Sequence, residues 1–182
     1  MELVLDVVVT VVSLAIVGSH ILAVRNHFHS ERTPTYAKVV AGVTVVSIIG
    51  FLWMTWAMVQ PLWVQIIGVV VEILSVTVFF GAIRASRAHR LRFCFDPTLP
   101  ASLVDTGPYR FVRHPFYVSY LLFWLGWTIA VWSAWGLVTV LVLLGLYILA
   151  ARREESYFAA SPLAEQYAAY KKRTGFFIPG FG

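Results

Sequence analysis

The stretch GPYRFVRHPFY, residues 107–117, sets two arginines, a histidine and two prolines among phenyl and phenol rings at the mouth of a long apolar segment. If the following helix starts at Pro115, proline suits that first position, where an N–H has no intrahelical partner to lose. The first-turn N–H groups of Phe116 and Tyr117 and the positive end of the helix dipole then point back into the loop, which favours an anion. Arg110, Arg113 and His114 stand beside them as donors, and Tyr109, Phe111 and Tyr117 offer ring faces. A ligand with a carboxylate or phosphate at one end and a flat heteroaromatic at the other would suit the set. The plainer reading is arginine and histidine snorkelling at a membrane interface while the aromatics anchor the helix. The density of the constellation favours a site.

A second polar cluster is ARREESYF, residues 151–158, with Arg152, Arg153, Glu154 and Glu155 in succession at the end of another apolar run. Alone it could be an exposed ion-pair patch. The two apolar runs are joined by a tight turn, however, so their far ends lie close together. A carboxylate of Glu154 or Glu155 then faces the first cluster and adds an acceptor for an ammonium group. Donors for a carboxylate, an acceptor for an ammonium and an aromatic shelf together fit a nucleoside that bears an amino acid.

The elements that must position these groups are membrane helices. Of 182 residues, 59% are hydrophobic and 13% charged, about half the charged share of an ordinary soluble domain. Apolar runs bounded by charge predict five spans, over residues 3–24, 39–59, 62–83, 116–131 and 134–151. Gln60-Pro61 and the residues 132–135 are long enough only for tight turns, giving two helical hairpins. The fourteen Lys and Arg all fall in three segments on one side of such a bundle. That side is expected to be cytoplasmic, with the N-terminus outside and the C-terminus inside. Trp53, Trp56, Trp63, Trp132 and Trp135 gather near the opposite ends, as an aromatic belt would. The net charge of +5 is then explained by topology and anionic headgroups, and no nucleic-acid partner is expected. The leading apolar run carries Asp6, lacks a basic start and is too long for a signal-peptide core, so it reads as a permanent span. Residues 84–93 read as a basic extension of the third helix, and 94–108 as irregular. In the tail, Ser161 is expected to cap a short helix opened by Pro162 and running to about Arg173.

The combined pattern resembles the integral membrane methyltransferases of the isoprenylcysteine carboxyl methyltransferase and phospholipid methyltransferase group. It is carried by LVDTGPYRFVRHPFYVSYLLFWLG from Leu103, REE at 153–155 and EQYAAYKKRTGFFIP from Glu165. These match the family's G-x-Y-x-x-x-R-H-P-x-Y, its Glu pair and its Y-x-x-Y tail, over roughly residues 94–179. The five predicted spans make an all-α bundle of five transmembrane helices in which residues 1–93, forming helices one to three, match the family only in character, and the resemblance makes residues 94–182 the catalytic half. It implies S-adenosyl-L-methionine as cofactor, in a cytosolic pocket made by the last two spans. Ala101, Ser102, Leu103 and Val104 would line it and Tyr109 would contact the cofactor. His114, Pro115, Phe116 and Tyr117 would wrap its amino-acid end and sulfonium, and Glu154 or Glu155 would bind it too. Some relatives place a substrate-orienting arginine one turn before the Glu pair, where this chain has Ala150 and Ala151. Arg152 and Arg153 are the nearest candidates for that catalytic role, with Glu154 beside them.

The substrate implied is a lipophilic small molecule or lipid that arrives sideways from the bilayer. A carboxylate acceptor would need only an arginine to position it. An amine or thiol would need a base, for which His114, Glu154 and Glu155 are available. Glu72, at mid-depth of the third span, is either functional or paired with His20; His20 by itself reads as a satisfied bundle histidine. His27, His29 and His89 lack metal-ligand spacing, so no metal is expected, and Cys94 stands alone. Competing readings are a membrane reductase of the sterol type using NADPH, disfavoured by the short chain, and a non-catalytic membrane scaffold.

Overall fold

Lipid offers backbone N–H and C=O groups no partners, so each apolar run must satisfy them within itself and becomes a helix. The computed structural model describes residues 2–27, 35–87 and 102–180. Its helices are α1 (Glu2–His27), α2 (Thr35–Ala57), α3 (Leu62–Ser86), α4 (Pro115–Val131), α5 (Ala134–Ala159) and α6 (Ala164–Lys171), with a 3₁₀ turn over Gly107–Arg110. The described residues contain no strand beyond an isolated bridge between Val112 and Gly175. Helices α1, α2, α3 and α5 are long and apolar enough to cross a membrane, while α4 is a shorter apolar helix of 17 residues. At 1.5 Å per residue α4 extends about 26 Å, against about 30 Å of hydrocarbon. The chain is an all-helical integral membrane protein.

Helix α4 is the hub, packing against α1, α2, α3 and α5. It is apolar on every face, as a helix surrounded by others must be. Its Phe123, Trp124 and Trp127 meet Val9 and Ile16 of α1, Phe51 of α2 and Leu143 of α5 in one core. Against α3 it comes closer than side chains would allow. A Cβ built on Gly126 would lie 2.8 Å from both the Gly68 carbonyl oxygen and Glu72 Cγ, and one on Gly68 would lie 2.6 Å from Ala130 Cβ. Small residues permit this contact, the usual device of helix pairs in lipid. Gly126→Ala is therefore expected to destabilise the bundle by about 1–3 kcal/mol through overpacking, although alanine is the better helix former. Thermal unfolding in detergent checks this.

A polar ladder joins α1 to α3. Gln65 Nε2 donates to Asp6 Oδ1 (2.6 Å) and Ser13 Oγ to Glu72 Oε1 (2.8 Å), while the His20 ring lies 4.2 Å from that of Phe79. Steps of seven residues on both helices keep one face of parallel α1 on one face of α3. Glu72 thus pairs with Ser13, not with His20. Neither Glu72 Oε2 nor His20 Nε2 has a hydrogen-bond partner among the described residues, so the expectation of a satisfied His20 is overturned.

The two hairpins form where expected. Gln60 caps the end of α2 by donating to the Met54 carbonyl (2.9 Å). Only Trp132 and Ser133 separate α4 from α5, with Trp132 in the left-handed region (φ 48°). Trp53, Trp56, Trp63, Trp132 and Trp135 are exposed at that end. The tail differs from expectation. Ser161 Oγ does accept from the Leu163 amide (3.1 Å), yet the chain turns through 161–163 first. Helix α6 therefore starts at Ala164 with Leu163 as cap and stops at Lys171. Of the expected extension of α3, residues 88–93 lie outside the described residues, as do Ala101, Cys94, His29 and His89.

Candidate functional site

Gly107 brings the loop onto α3 just before the site. It adopts φ 56°, and a Cβ there would stand 3.0 Å from Ala85 Cβ. Pro108 in turn sits over Gly81, where a Cβ would lie 3.0 Å from Pro108 Cγ. This close seat delivers Tyr109 into a buried cluster with Phe79, Ala82, Val104 and Phe116. Burial first, and the Glu154 charge second, push the Tyr109 phenol up, so it stays neutral. Val104 is buried, while Ser102 and Leu103 are half-buried in the approach to it.

The chain then turns through His114, which caps α4, and Pro115 opens the helix as expected. His114 and Tyr117, almost one turn apart, meet the same carboxylate from α5. Tyr117 Oη donates to Glu154 Oε1 (2.6 Å), and His114 Nδ1 lies 3.2 Å from Glu154 Oε2. The other imidazole nitrogen, Nε2, is 3.5 Å from Glu155 Oε1, within ion-pair reach but without hydrogen-bond geometry. The antiparallel course of α4 and α5 makes this meeting inevitable once their connection is two residues long. Phe176 (5.0 Å) and Phe177 (6.0 Å) flank the His114 ring, and the Tyr117 ring stacks on Tyr147 (5.2 Å).

Glu155 faces the other way. It receives Arg113 Nε (2.6 Å) and Lys171 Nζ (2.7 Å), while Arg113 Nη1 donates to the Thr174 carbonyl (2.6 Å). Main-chain bonds from Arg113 N to Gly175 O (2.8 Å) and from Gly175 N to Phe111 O (3.0 Å) complete the clamp. Tyr170 Oη holds the Tyr109 carbonyl (2.7 Å) and the Tyr167 ring stacks on Phe158 (4.5 Å). The Y-x-x-Y tail is thus the strap that ties α6 under the site.

Tyr109, His114, Pro115, Phe116, Tyr117, Glu154 and Glu155 therefore converge. Arg152 and Arg153 do not join them in the same way: both are exposed, and Arg153 donates to Tyr157 Oη (3.1 Å) one turn along its own helix. Ala101 is outside the described residues. Arg113, read from sequence as an anion donor, is instead buried and spent on Glu155 and Thr174. Phe176, Phe177 and Tyr147 were missed. Only the placement of Phe176 and Phe177 directly after Gly175 hinted that they return to the site.

The sequence model of the phospholipid methyltransferase family matches residues 63–166 of the chain. The chain belongs to that family. The match starts in α3, well before the region that carries the motif resemblance, and so takes in the helix against which α4 and the 3₁₀ turn are seated. Membership implies methyltransferase activity in a membrane protein. Among curated proteins no match to the family member was found.

His114 gives this family member a titratable centre. Burial pushes its pKa down, but the Glu154 hydrogen bond and the nearby Glu154 and Glu155 carboxylates outweigh burial and hold it above the ordinary 6.5. A raised folded value means the protonated form contributes stability fully below about 6.5 and loses it as pH rises through the folded pKa. The melting temperature of the wild type is expected to fall over that window, and His114→Gln to flatten the profile. Thermal scans across pH in one detergent check it.

Proposed function

We propose that this protein is an S-adenosyl-L-methionine-dependent methyltransferase that acts at the cytoplasmic face of its membrane on a lipophilic or lipid-like acceptor. The observation that carries the reading is the meeting of Tyr117 and His114 on one carboxylate of α5. The donor set fits the cofactor. Glu154 has its side chain 30% exposed, and a carboxylate offers about four acceptor positions, so it retains capacity for an ammonium. His114 Nε2, buried and without a hydrogen-bond partner among the described residues, is a polar atom awaiting one. The start of α4 favours a carboxylate.

In this reading Glu154 holds the ammonium, His114 and the first turn of α4 at Pro115, Phe116 and Tyr117 hold the carboxylate end, and Tyr109 with Ser102, Leu103 and Val104 lines the nucleoside. Glu155 orients His114 while anchoring the tail. When bound, S-adenosylmethionine supplies a sulfonium methyl already activated for displacement. The chain's remaining task is alignment and exclusion of water. The aromatic wall of Tyr117, Tyr147, Phe176 and Phe177 around His114 serves that task. Arg152 and Arg153, at the exposed rim, are the candidates for orienting an acceptor head. The basic ends and the exposed tryptophans at the opposite end support the N-terminus-out orientation.

Incubating the purified protein with methyl-labelled cofactor and a membrane lipid extract tests the activity. Label is expected in the lipid phase. Absence of labelled lipid from a protein that binds the cofactor would count against the lipid acceptor.

A further inference from the structure

Two buried imidazole nitrogens lack hydrogen-bond partners among the described residues, His114 Nε2 and His20 Nε2. They mark the ends of one aromatic surface. The ring of His114 neighbours Tyr117 (5.9 Å), Tyr117 neighbours Tyr120 (6.5 Å), and Tyr120 neighbours His20 (5.2 Å). His20 is 8% exposed and is boxed by Phe79, Tyr120 and Phe123, at 4.2, 5.2 and 6.0 Å between ring centroids. Seven residues, about 10 Å along the helix, separate it from the cytoplasmic end of α1.

Resting on the methyl-transfer reading, we propose that His20 and its aromatic box form the subsite for the acceptor's polar head, with His20 Nε2 accepting a hydrogen bond from a non-anionic, donor-bearing group. A buried nitrogen without a partner is left desolvated and uncompensated, and a bound donor removes that penalty. Ring faces around a small head favour a cation or neutral donor over an anion. An anion would need a cation beside it, and the three rings that box His20, those of Phe79, Tyr120 and Phe123, carry no charge. Arg113, the buried cation of the site, is held by Glu155 and Thr174. The column of Tyr117 and Tyr120 then joins the head to the proposed cofactor position. Glu72, whose Oε2 also lacks a partner among the described residues, packs instead against the backbone of α4, where a Cβ on Gly126 would lie 2.8 Å from its Cγ.

The test uses the full chain in nanodiscs, labelled with ¹⁵N-histidine, and two probes of equal tail, dodecylamine and dodecanoate. The His20 signal is assigned by its absence in His20→Phe, which keeps a ring in the box. Dodecylamine is expected to shift the wild-type His20 Nε2 resonance saturably and dodecanoate to leave it in place. His20→Phe is expected to bind the amine about tenfold more weakly and S-adenosylhomocysteine within about twofold of wild type. A His20 resonance indifferent to the amine, or moved equally by both probes, would overturn the subsite, and so would unchanged amine affinity in a folded His20→Phe. Failure of the wild type to bind S-adenosylhomocysteine while the amine response persists would instead remove the cofactor reading and leave His20 as a ligand contact.

Discussion

Replacing Arg113 by methionine is expected to lower the unfolding free energy by about 3–5 kcal/mol, the usual consequence of stripping one partner from a buried ion pair. The side chains of Arg113 and Glu155 are 3% and 12% exposed and meet at 2.6 Å. Without the guanidinium, Glu155 keeps the exposed Lys171 and the neighbouring His114 as its cationic partners among the described residues. The Thr174 carbonyl loses its donor at the same time. Because Thr174 and Gly175 anchor the strap that returns Phe176 and Phe177 to His114, the loss should reach the site as well as the fold. Arg113→Met combined with Glu155→Gln is expected to recover part of the loss, since no charge is then left buried alone. Thermal unfolding and limited proteolysis of the tail in detergent measure both effects. A tail that resists protease equally in wild type and Arg113→Met would show that the clamp has been misassigned.

Glu154→Ala is expected to weaken S-adenosylhomocysteine binding by about tenfold to 150-fold, the range for loss of a charge-assisted hydrogen bond of 1.5–3 kcal/mol. Two effects add here. The carboxylate that would receive the ammonium disappears, and Tyr117 Oη and His114 Nδ1 lose their partner on α5. Stability should change less than in Arg113→Met, because Glu154 is partly exposed where Arg113 is buried. Calorimetric titration gives the affinity, and a melting curve on the same sample separates lost binding from lost structure.

The sequence disclosed most of the frame because lipid leaves few choices. Runs of apolar residues bounded by charge placed the ends of α4 and α5 at Val131 and Ala134, where the structure has them. The short connection then forced Glu154 toward His114 and Tyr117. What it could not disclose was how charges divide among neighbours. Arg113 and Glu154 both read as ligand contacts, yet only distance reveals that Arg113 is committed to Glu155 and the tail while Glu154 takes Tyr117 and His114. The central place of α4 was likewise hidden. Its shortness and apolarity are visible in sequence, but the reason, four surrounding helices and a contact that only Gly68 and Gly126 permit, is a property of packing. His20 is the third such case. A histidine in a span gives no sign of whether its nitrogens are met, and here Nε2 has no hydrogen-bond partner among the described residues.

That the ends of α4 and α5 carrying Tyr117 and Glu154 act as one cofactor site is tested most directly by a double-mutant cycle. S-adenosylhomocysteine affinity would be measured for wild type, Tyr117→Phe, Glu154→Gln and the double variant, all shown folded by melting. The expected result is saturable binding by the wild type and a coupling energy between the two positions of about 0.5–3 kcal/mol, as for side chains in contact within one network. Wild-type protein that binds nothing, or losses that simply add, would contradict it.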